Sequence, residues 1–149
     1  KVAMVVDWPF SYGPQGYPPL KIWDSNYTQH GALEHARWRL LQAADGYLNV
    51  DIDELVIDPG GRSVFDAAAE SRTGVVSLPN TLVHAAPGTK LDPPQHRDSY
   101  YVKVPAESTA PKWCVIPARL PAYAQLGIHE TYGIRSCTPD GIASRTSIR

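Results

Sequence analysis

Three acidic residues stand together near the middle of the chain, in the run Asp51-Ile52-Asp53-Glu54. The two aspartates are two positions apart, and residues i and i+2 of a β-strand project to the same side of a sheet. Two carboxylates so close repel each other, and a hard divalent cation relieves the repulsion. Mg²⁺ or Mn²⁺ fits best, because these ions complete a shell of one or two carboxylates with water and substrate phosphates. The run therefore predicts a metal site; an acidic exposed turn without function is the alternative.

Two elements must position these carboxylates. Apolar residues recur at spacings of three and four over residues 28–44, which predicts an amphipathic helix that Gly46 can end. Residues 47–53 then alternate strictly between apolar and polar side chains. This change of period from 3.6 to 2 predicts a strand that ends at the acidic run.

The remaining elements follow from the same signals. We expect strands at residues 1–7, 74–78, 100–104 and 113–116, and a short second helix at residues 64–71 that Ser63 caps. The order strand, helix, strand, helix, strand predicts an α/β fold, with a mainly parallel sheet flanked by helices. Residues 138–149 show little periodicity and are expected to form an exposed tail after a single domain at residues 1–137.

Residues 8–19 form a predicted loop with four prolines, two glycines and four aromatic residues. Two interpretations are open. The rings either cover an edge of the core, or they form a rim against which a flat ligand such as a sugar ring packs.

The composition of the 149 residues excludes several classes of protein. Hydrophobic residues make up 43% and charged residues 19%, which argues against intrinsic disorder. The net charge of -1 leaves no basic excess for a nucleic-acid backbone, so no nucleic-acid partner is expected. No apolar run approaches the ~18 residues of a membrane span. Cys114 and Cys137 form no CxxC pair and are interpreted as reduced thiols of a cytoplasmic protein.

Two blocks of the sequence resemble the GT-A glycosyltransferases related to family 2 and family 92. The first is the Asn-Tyr-Thr-Gln-His run at residues 26–30 together with residues 44–55, similar to a Gln-led helix and a strand ending in Asp-x-Asp-Glu-Phe/Leu. The second runs from Lys112 to Pro117 and continues at Gly127-Ile128-His129. It is similar to that family's Lys-x-Ile/Val-x-x-Pro block and the Val/Ile-His after it.

The resemblance implies a GT-A-like, partly Rossmann-like fold and a set of roles for matching residues. Asp51 and Asp53 would bind Mn²⁺ or Mg²⁺ and the diphosphate of a nucleotide-sugar donor, with His129 as the third metal ligand. Gln29 and Lys112 would contact the donor. Glu54 would orient the aspartates or take part in catalysis.

The implied reaction is the metal-dependent transfer of a sugar from a nucleotide sugar to the hydroxyl of a glycan or another acceptor. A carboxylate would deprotonate that hydroxyl if the stereochemistry inverts. Asp53, Glu54 and Asp98 are the candidate catalytic residues, and Glu130, next to His129, competes for the role of base.

One departure from the family matters. In those enzymes, strand and helix pairs that bind the nucleobase precede the region that this chain resembles, and no such pairs are recognised in this sequence. Residues 1–137 are therefore expected to be the carboxyl-terminal part of such a domain. A non-catalytic carbohydrate- or metal-binding module derived from the same fold is the alternative. A third interpretation, a metal-dependent phosphohydrolase, suits the acidic pair but lacks the further His and Asp motifs of such enzymes.

Overall fold

A computed structural model describes residues 3–10, 15–17, 22–24, 26–58, 60–85, 99–101, 108–140 and 142–147. The described parts contain two α-helices, α1 (Tyr27–Arg39) and α2 (Val64–Glu70). They also contain ten strands: β1 (Gln15–Tyr17), β2 (Ile22–Asp24), β3 (Tyr47–Asn49), β4 (Glu54–Ile57), β5 (Val75–Ala85), β6 (Ser99–Tyr101), β7 (Ser108–Val115), β8 (Gln125–Leu126), β9 (Thr131–Tyr132) and β10 (Ala143–Ser147).

Six of these strands form the central sheet, in the order β3-β7-β5-β10-β4, with β6 paired to β5. Every pairing of these named strands is antiparallel except that of β10 with β5. The expected GT-A-like, mainly parallel sheet is therefore wrong. The helix α2 joins β4 to β5, but these two strands are not neighbours, because β10 lies between them. The strand β4 runs antiparallel to β10, so the helical connection does not link parallel neighbours.

The core lies on both faces of β5 and β7. On one face, α2 packs its buried Val64, Ala67 and Ala68 against alternate residues of the two strands. On the other face, Trp113 and Val115 form a second cluster, against which Leu33 of α1 packs. The strands are apolar on both faces because each face is covered, and this explains why their sequence shows an apolar run rather than alternation.

Several local predictions are confirmed and others are wrong. The capped helix after Ser63 is present, and the Ser63 hydroxyl accepts a hydrogen bond from the backbone N–H of Phe65. The helix predicted over residues 28–44 is present but ends at Arg39. The strand predicted at residues 1–7 is wrong for its described part: residues 3–7 form no strand, and Val5 is 97% exposed.

The carboxyl-terminal segment also differs from its expected exposed tail. The strand β10 lies between β4 and β5, in the interior of the sheet. Ile142, which precedes it, is buried in the cluster under α2. The short, polar sequence of β10 carries little apolar periodicity, so only the pairing of its backbone with two neighbours makes it a strand.

Candidate functional site

The two aspartates of the acidic run lie in the turn between β3 and β4. The strand predicted to reach residue 53 ends at Asn49, and the backbone N–H of Glu54 donates to the carbonyl of Asp51 across the turn, at 3.0 Å. Ile52, expected on the apolar face of that strand, is 93% exposed. The prediction that Asp51 and Asp53 project from one strand face is therefore wrong, because a tight turn replaces the extended backbone there.

Lys112 of β7 lies beside this turn. Asn49 of β3 pairs with Trp113 of β7, so the residue before Trp113 lies next to the residues that leave β3. The Lys112 ammonium is 2.7 Å from Oδ2 of Asp51 and 3.2 Å from Oε2 of Glu54. The lysine side chain is only 2% exposed, and a cation so deeply buried requires such partners.

Glu54 is the buried anion of this group. Its Oε1 accepts a hydrogen bond from Nδ2 of Asn80 at 2.9 Å, and its Oε2 accepts one from the backbone N–H of Asp51, also at 2.9 Å. Together with the Lys112 ammonium, these donors compensate the carboxylate for the water that it loses on burial. Glu54 therefore fixes the conformation of the turn and the position of Lys112.

Asn80 was not predicted from the sequence. It lies in β5 and is 3% exposed, in an otherwise largely apolar stretch of that strand. An isolated asparagine among apolar strand residues is a usable signal, because buried polar side chains need partners. That signal identifies no partner, however, since Glu54 is 26 residues earlier in the chain.

His129 reaches the same place from the segment after β8. Two hydrogen bonds hold the preceding residues: Trp113 Nε1 donates to the carbonyl of Gly127 at 2.8 Å, and Asn49 Nδ2 donates to the carbonyl of Ile128 at 2.6 Å. Nδ1 of His129 is buried and has no hydrogen-bond partner in the described part of the chain. A buried imidazole nitrogen without a partner is available to a ligand.

These side chains surround a cavity of about 210 Å³, which we call the acidic cavity. Its described lining comprises Asp51, Glu54, Asn80, Thr109, Ala110, Lys112 and His129. A neighbouring depression of about 190 Å³ is lined in part by Gln29, Asn49 and Asp51. Asp51 belongs to both, so the depression that Gln29 lines adjoins the cavity that Lys112 lines.

The structure thus brings together Asp51, Glu54, Lys112 and His129, and places Gln29 in the adjoining depression. Asp53 is in the same turn but lines neither of the two cavities as the structure describes them. Asp98 lies outside the described residues. Glu130 is exposed, and its backbone carbonyl accepts the N–H of Gly127 in the connection between β8 and β9.

Within the described residues, no group of three or more His, Cys, Asp or Glu side chains is arranged to hold a metal ion. Two residues that line the acidic cavity, Asp51 and His129, nevertheless have side chains of the types that bind Mn²⁺ or Mg²⁺. Two protein ligands fit these ions when a substrate diphosphate supplies further oxygens.

No helix in the parts of the chain that the structure describes has the length and apolar character needed to cross a membrane.

Comparison with known proteins gives no match: no protein-family model fits the sequence, and no curated protein or solved structure is significantly similar to it.

Proposed function

We propose that the chain is part of a metal-dependent glycosyltransferase that moves a sugar from a nucleotide-sugar donor to an acceptor hydroxyl. One observation carries this proposal. The two sequence blocks that resemble such enzymes are far apart in the chain, yet Asp51 and Glu54 of the first meet Lys112 and His129 of the second around one cavity. The resemblance to those enzymes therefore involves two groups of residues that lie at one site, and not two separate sequence runs. The proposal concerns this chemistry and does not depend on a parallel sheet.

The residues that the two sequence blocks bring to this site have proposed roles. Asp51 and His129 would hold Mn²⁺ or Mg²⁺, with Asp53 of the same turn as a further ligand. A bound cation stabilises the negative charge that develops on a leaving diphosphate. Gln29, in the adjoining depression, would contact the donor. Lys112 would hold Asp51 in place and, as a point charge, attract the donor's phosphates.

In this proposal Glu54 orients the turn that carries Asp51. Its carboxylate already accepts hydrogen bonds from Asn80, from the backbone of Asp51 and from the Lys112 ammonium. A group so fully engaged orients the turn better than it accepts a proton from an acceptor hydroxyl. The role of general base therefore stays with Asp98, which lies outside the described residues, or with the exposed Glu130.

The cytoplasm is the proposed compartment. Both cysteines of the chain are free thiols, Cys114 in the core and Cys137 at the surface. A reducing environment keeps surface thiols in this state, whereas secreted proteins commonly pair them.

Calorimetry of the chain with UDP and GDP, each with and without Mn²⁺, tests the proposal. We expect a nucleoside diphosphate with Mn²⁺ to bind at least about tenfold more tightly than either component alone, because metal and diphosphate complete one another's coordination. Asp51→Asn should abolish this gain. Glu70→Gln removes an exposed carboxylate of α2 that lines neither the acidic cavity nor the adjoining depression, and should leave the gain unchanged. Mn²⁺ binding that neither nucleotide strengthens would rule out the transferase.

A non-catalytic metal- or carbohydrate-binding module is the second candidate. The Lys112 ammonium favours this second candidate, because it already balances part of the charge of Asp51 and Glu54. The cavity can therefore persist without a substrate. In that case Mn²⁺ should raise the melting temperature by the same amount with and without nucleotide, and Asp51→Asn should remove the rise.

A further inference from the structure

A second concave site lies on the opposite face of α1 from Asp51. Gln29, Ala32 and Leu33 face the depression beside Asp51, whereas Tyr27, Thr28, His30, Gly31 and Glu34 line a pocket of about 510 Å³. Within each set, residues recur three or four positions apart, so each set lies on one face of the helix. The two faces are about half a turn of helix apart. The volume is within the range of roughly 300–1,000 Å³ typical of small-molecule sites.

Four aromatic side chains shape this pocket: Trp8, Phe10, Tyr27 and Tyr132. We call it the aromatic pocket. Phe10 is 64% exposed, Tyr27 61% and Tyr132 45%, so three rings around one hollow remain in contact with water. Trp8 and Phe10 pack on each other at a centroid distance of 4.9 Å. Exposed rings gathered around one concave surface are typical of a binding site, since isolated surface aromatics have no reason to converge.

The charged residues around the aromatic pocket restrict the kinds of ligand that it can bind. Among its described lining residues, Glu34 is the one carboxylate and no Lys or Arg is present. Arg37, 3.7 Å from Oε2 of Glu34, balances that carboxylate, but its side chain is only 3% exposed and donates to the carbonyls of Pro121 and Ala124. The described lining therefore offers a phosphate or a nucleotide no cation to bind. Thr28, His30 and Gln125 add polar groups around the rings. Flat apolar faces with a polar surround suit a pyranose ring, which presents C–H bonds on its faces and hydroxyl groups at its edge.

Part of the wall of the aromatic pocket is held by contacts within the chain. Oε1 of Glu34 accepts the backbone N–H of Leu126 at 2.7 Å, and its Oε2 accepts Nε1–H of Trp38 at 3.0 Å. The first of these bonds ties α1 to β8. In β9, which pairs with β8, the Tyr132 ring lies over Gly127, where a Cβ would be 2.7 Å from Cε2 of the ring. The part of the wall held in this way loses little conformational entropy on binding.

We propose that the aromatic pocket is a binding site for a neutral pyranose sugar, separate from the acidic cavity. The proposal does not depend on transferase activity, because the two sites share no lining residue. Sugar rings stack on Phe10, Tyr27 and Tyr132, and hydroxyl groups bond to the polar residues around them.

The test is a ¹H–¹⁵N NMR titration of the full chain with cellobiose, maltose and lactose. At least one disaccharide should shift the indole N–H resonance of Trp8 and the amide of Tyr132 saturably. Tyr27→Ala and Phe10→Ala should each weaken that binding by about fivefold or more, because each removes one stacking surface. Tyr123→Ala, which removes a tyrosine that is 74% exposed and does not line the pocket, should change it less than about twofold.

Three outcomes would overturn the proposal. The first is that none of the three disaccharides shifts the Trp8 and Tyr132 resonances. The second is that both alanine variants at Phe10 and Tyr27 bind the disaccharide as the unsubstituted chain does. The third is that UDP displaces the sugar and shifts the same resonances. Asp51→Asn should leave disaccharide binding intact, so failure of nucleotide binding at the acidic cavity and failure of sugar binding here are told apart.

Discussion

The ammonium group of Lys112 lies 2.7 Å from Oδ2 of Asp51, although 61 residues separate the two along the chain. The lysine side chain is 2% exposed and the aspartate side chain 61%, so a buried cation meets a carboxylate at the surface. This arrangement draws the turn after β3 onto β7. It also leaves Asp51 open to solvent on its other side, where the adjoining depression begins.

Removing the Lys112 charge should destabilise the protein strongly. Lys112→Met keeps most of the buried volume but leaves the buried Glu54 without its cation, and breaking a buried pair in this way costs about 3–5 kcal/mol. Asp51→Asn, in contrast, should cost less than about 1 kcal/mol, because water already solvates that carboxylate. Urea unfolding followed by circular dichroism measures both. Equal losses in the two variants would show that the lysine is not held as a buried ion.

Asn80 and Glu54 should be energetically coupled. The Asn80 amide donates to Oε1 of Glu54 at 2.9 Å, with both residues buried. Asn80→Ala and Glu54→Gln should each destabilise the protein, and the double variant should be more stable than the sum of the single losses predicts, by about 0.5–3 kcal/mol. A double-mutant cycle of unfolding free energies gives this number. Strict additivity would mean that the hydrogen bond contributes nothing to stability.

Gly127→Ala should distort the connection between β8 and β9. A Cβ at this position would be 2.7 Å from the Tyr132 ring and 2.9 Å from the backbone carbonyl of Glu130, and the carbonyl cannot retreat without losing its hydrogen bond to Gly127. We expect a loss of about 1–3 kcal/mol in unfolding free energy.

Gly61→Ala is the matched control for Gly127→Ala. No atom lies within 4 Å of a Cβ there, but the φ of +72° strains any residue with a side chain. A backbone cost of about 1 kcal/mol is expected. The two variants separate by NMR: only Gly127→Ala should move the amide resonance of Tyr132, and an unshifted Tyr132 would contradict the contact.

The two thiols should differ in reactivity. Burial raises the pKa of the Cys114 thiol from an ordinary value of 9.0 to about 12, partly offset by a backbone hydrogen bond from Val115. Cys137 is exposed. Because the thiolate is the reactive form, a maleimide at neutral pH should label Cys137 in the native protein and Cys114 only after unfolding. Equal labelling of both without denaturant would contradict the burial of Cys114.

The same pKa shift predicts a loss of stability at alkaline pH. The unfolded chain loses the Cys114 proton near pH 9, whereas the folded chain keeps it until about pH 12. Above pH 9 the folded state therefore binds more protons, and the free energy of unfolding falls as the pH rises. Cys114→Ala should reduce the slope of stability between pH 9 and pH 11. An unchanged slope in that variant would assign the alkaline loss to other groups.

Part of the local structure could be predicted from the sequence. The capped helix α2, the presence of α1 and the strand β5 all follow from short-range signals: a Ser63 cap, apolar spacing and a β-favouring apolar run. These signals act between residues close in the chain, so no knowledge of the fold is needed to read them. The end of α1 is harder to predict, because good helix formers continue past Arg39.

The sequence by itself determined which residues could take part in chemistry, namely the acidic run, Lys112 and His129. The tertiary structure alone decided how they meet. Sequence patterns do not distinguish a strand that ends at Asp53 from a turn that begins after Asn49, because the alternation of side chains is the same in both. Which strands become neighbours depends on long-range pairing, so the mainly antiparallel sheet, the interior position of β10 and the partnership of Asn80 with Glu54 appear only when distant segments pack together.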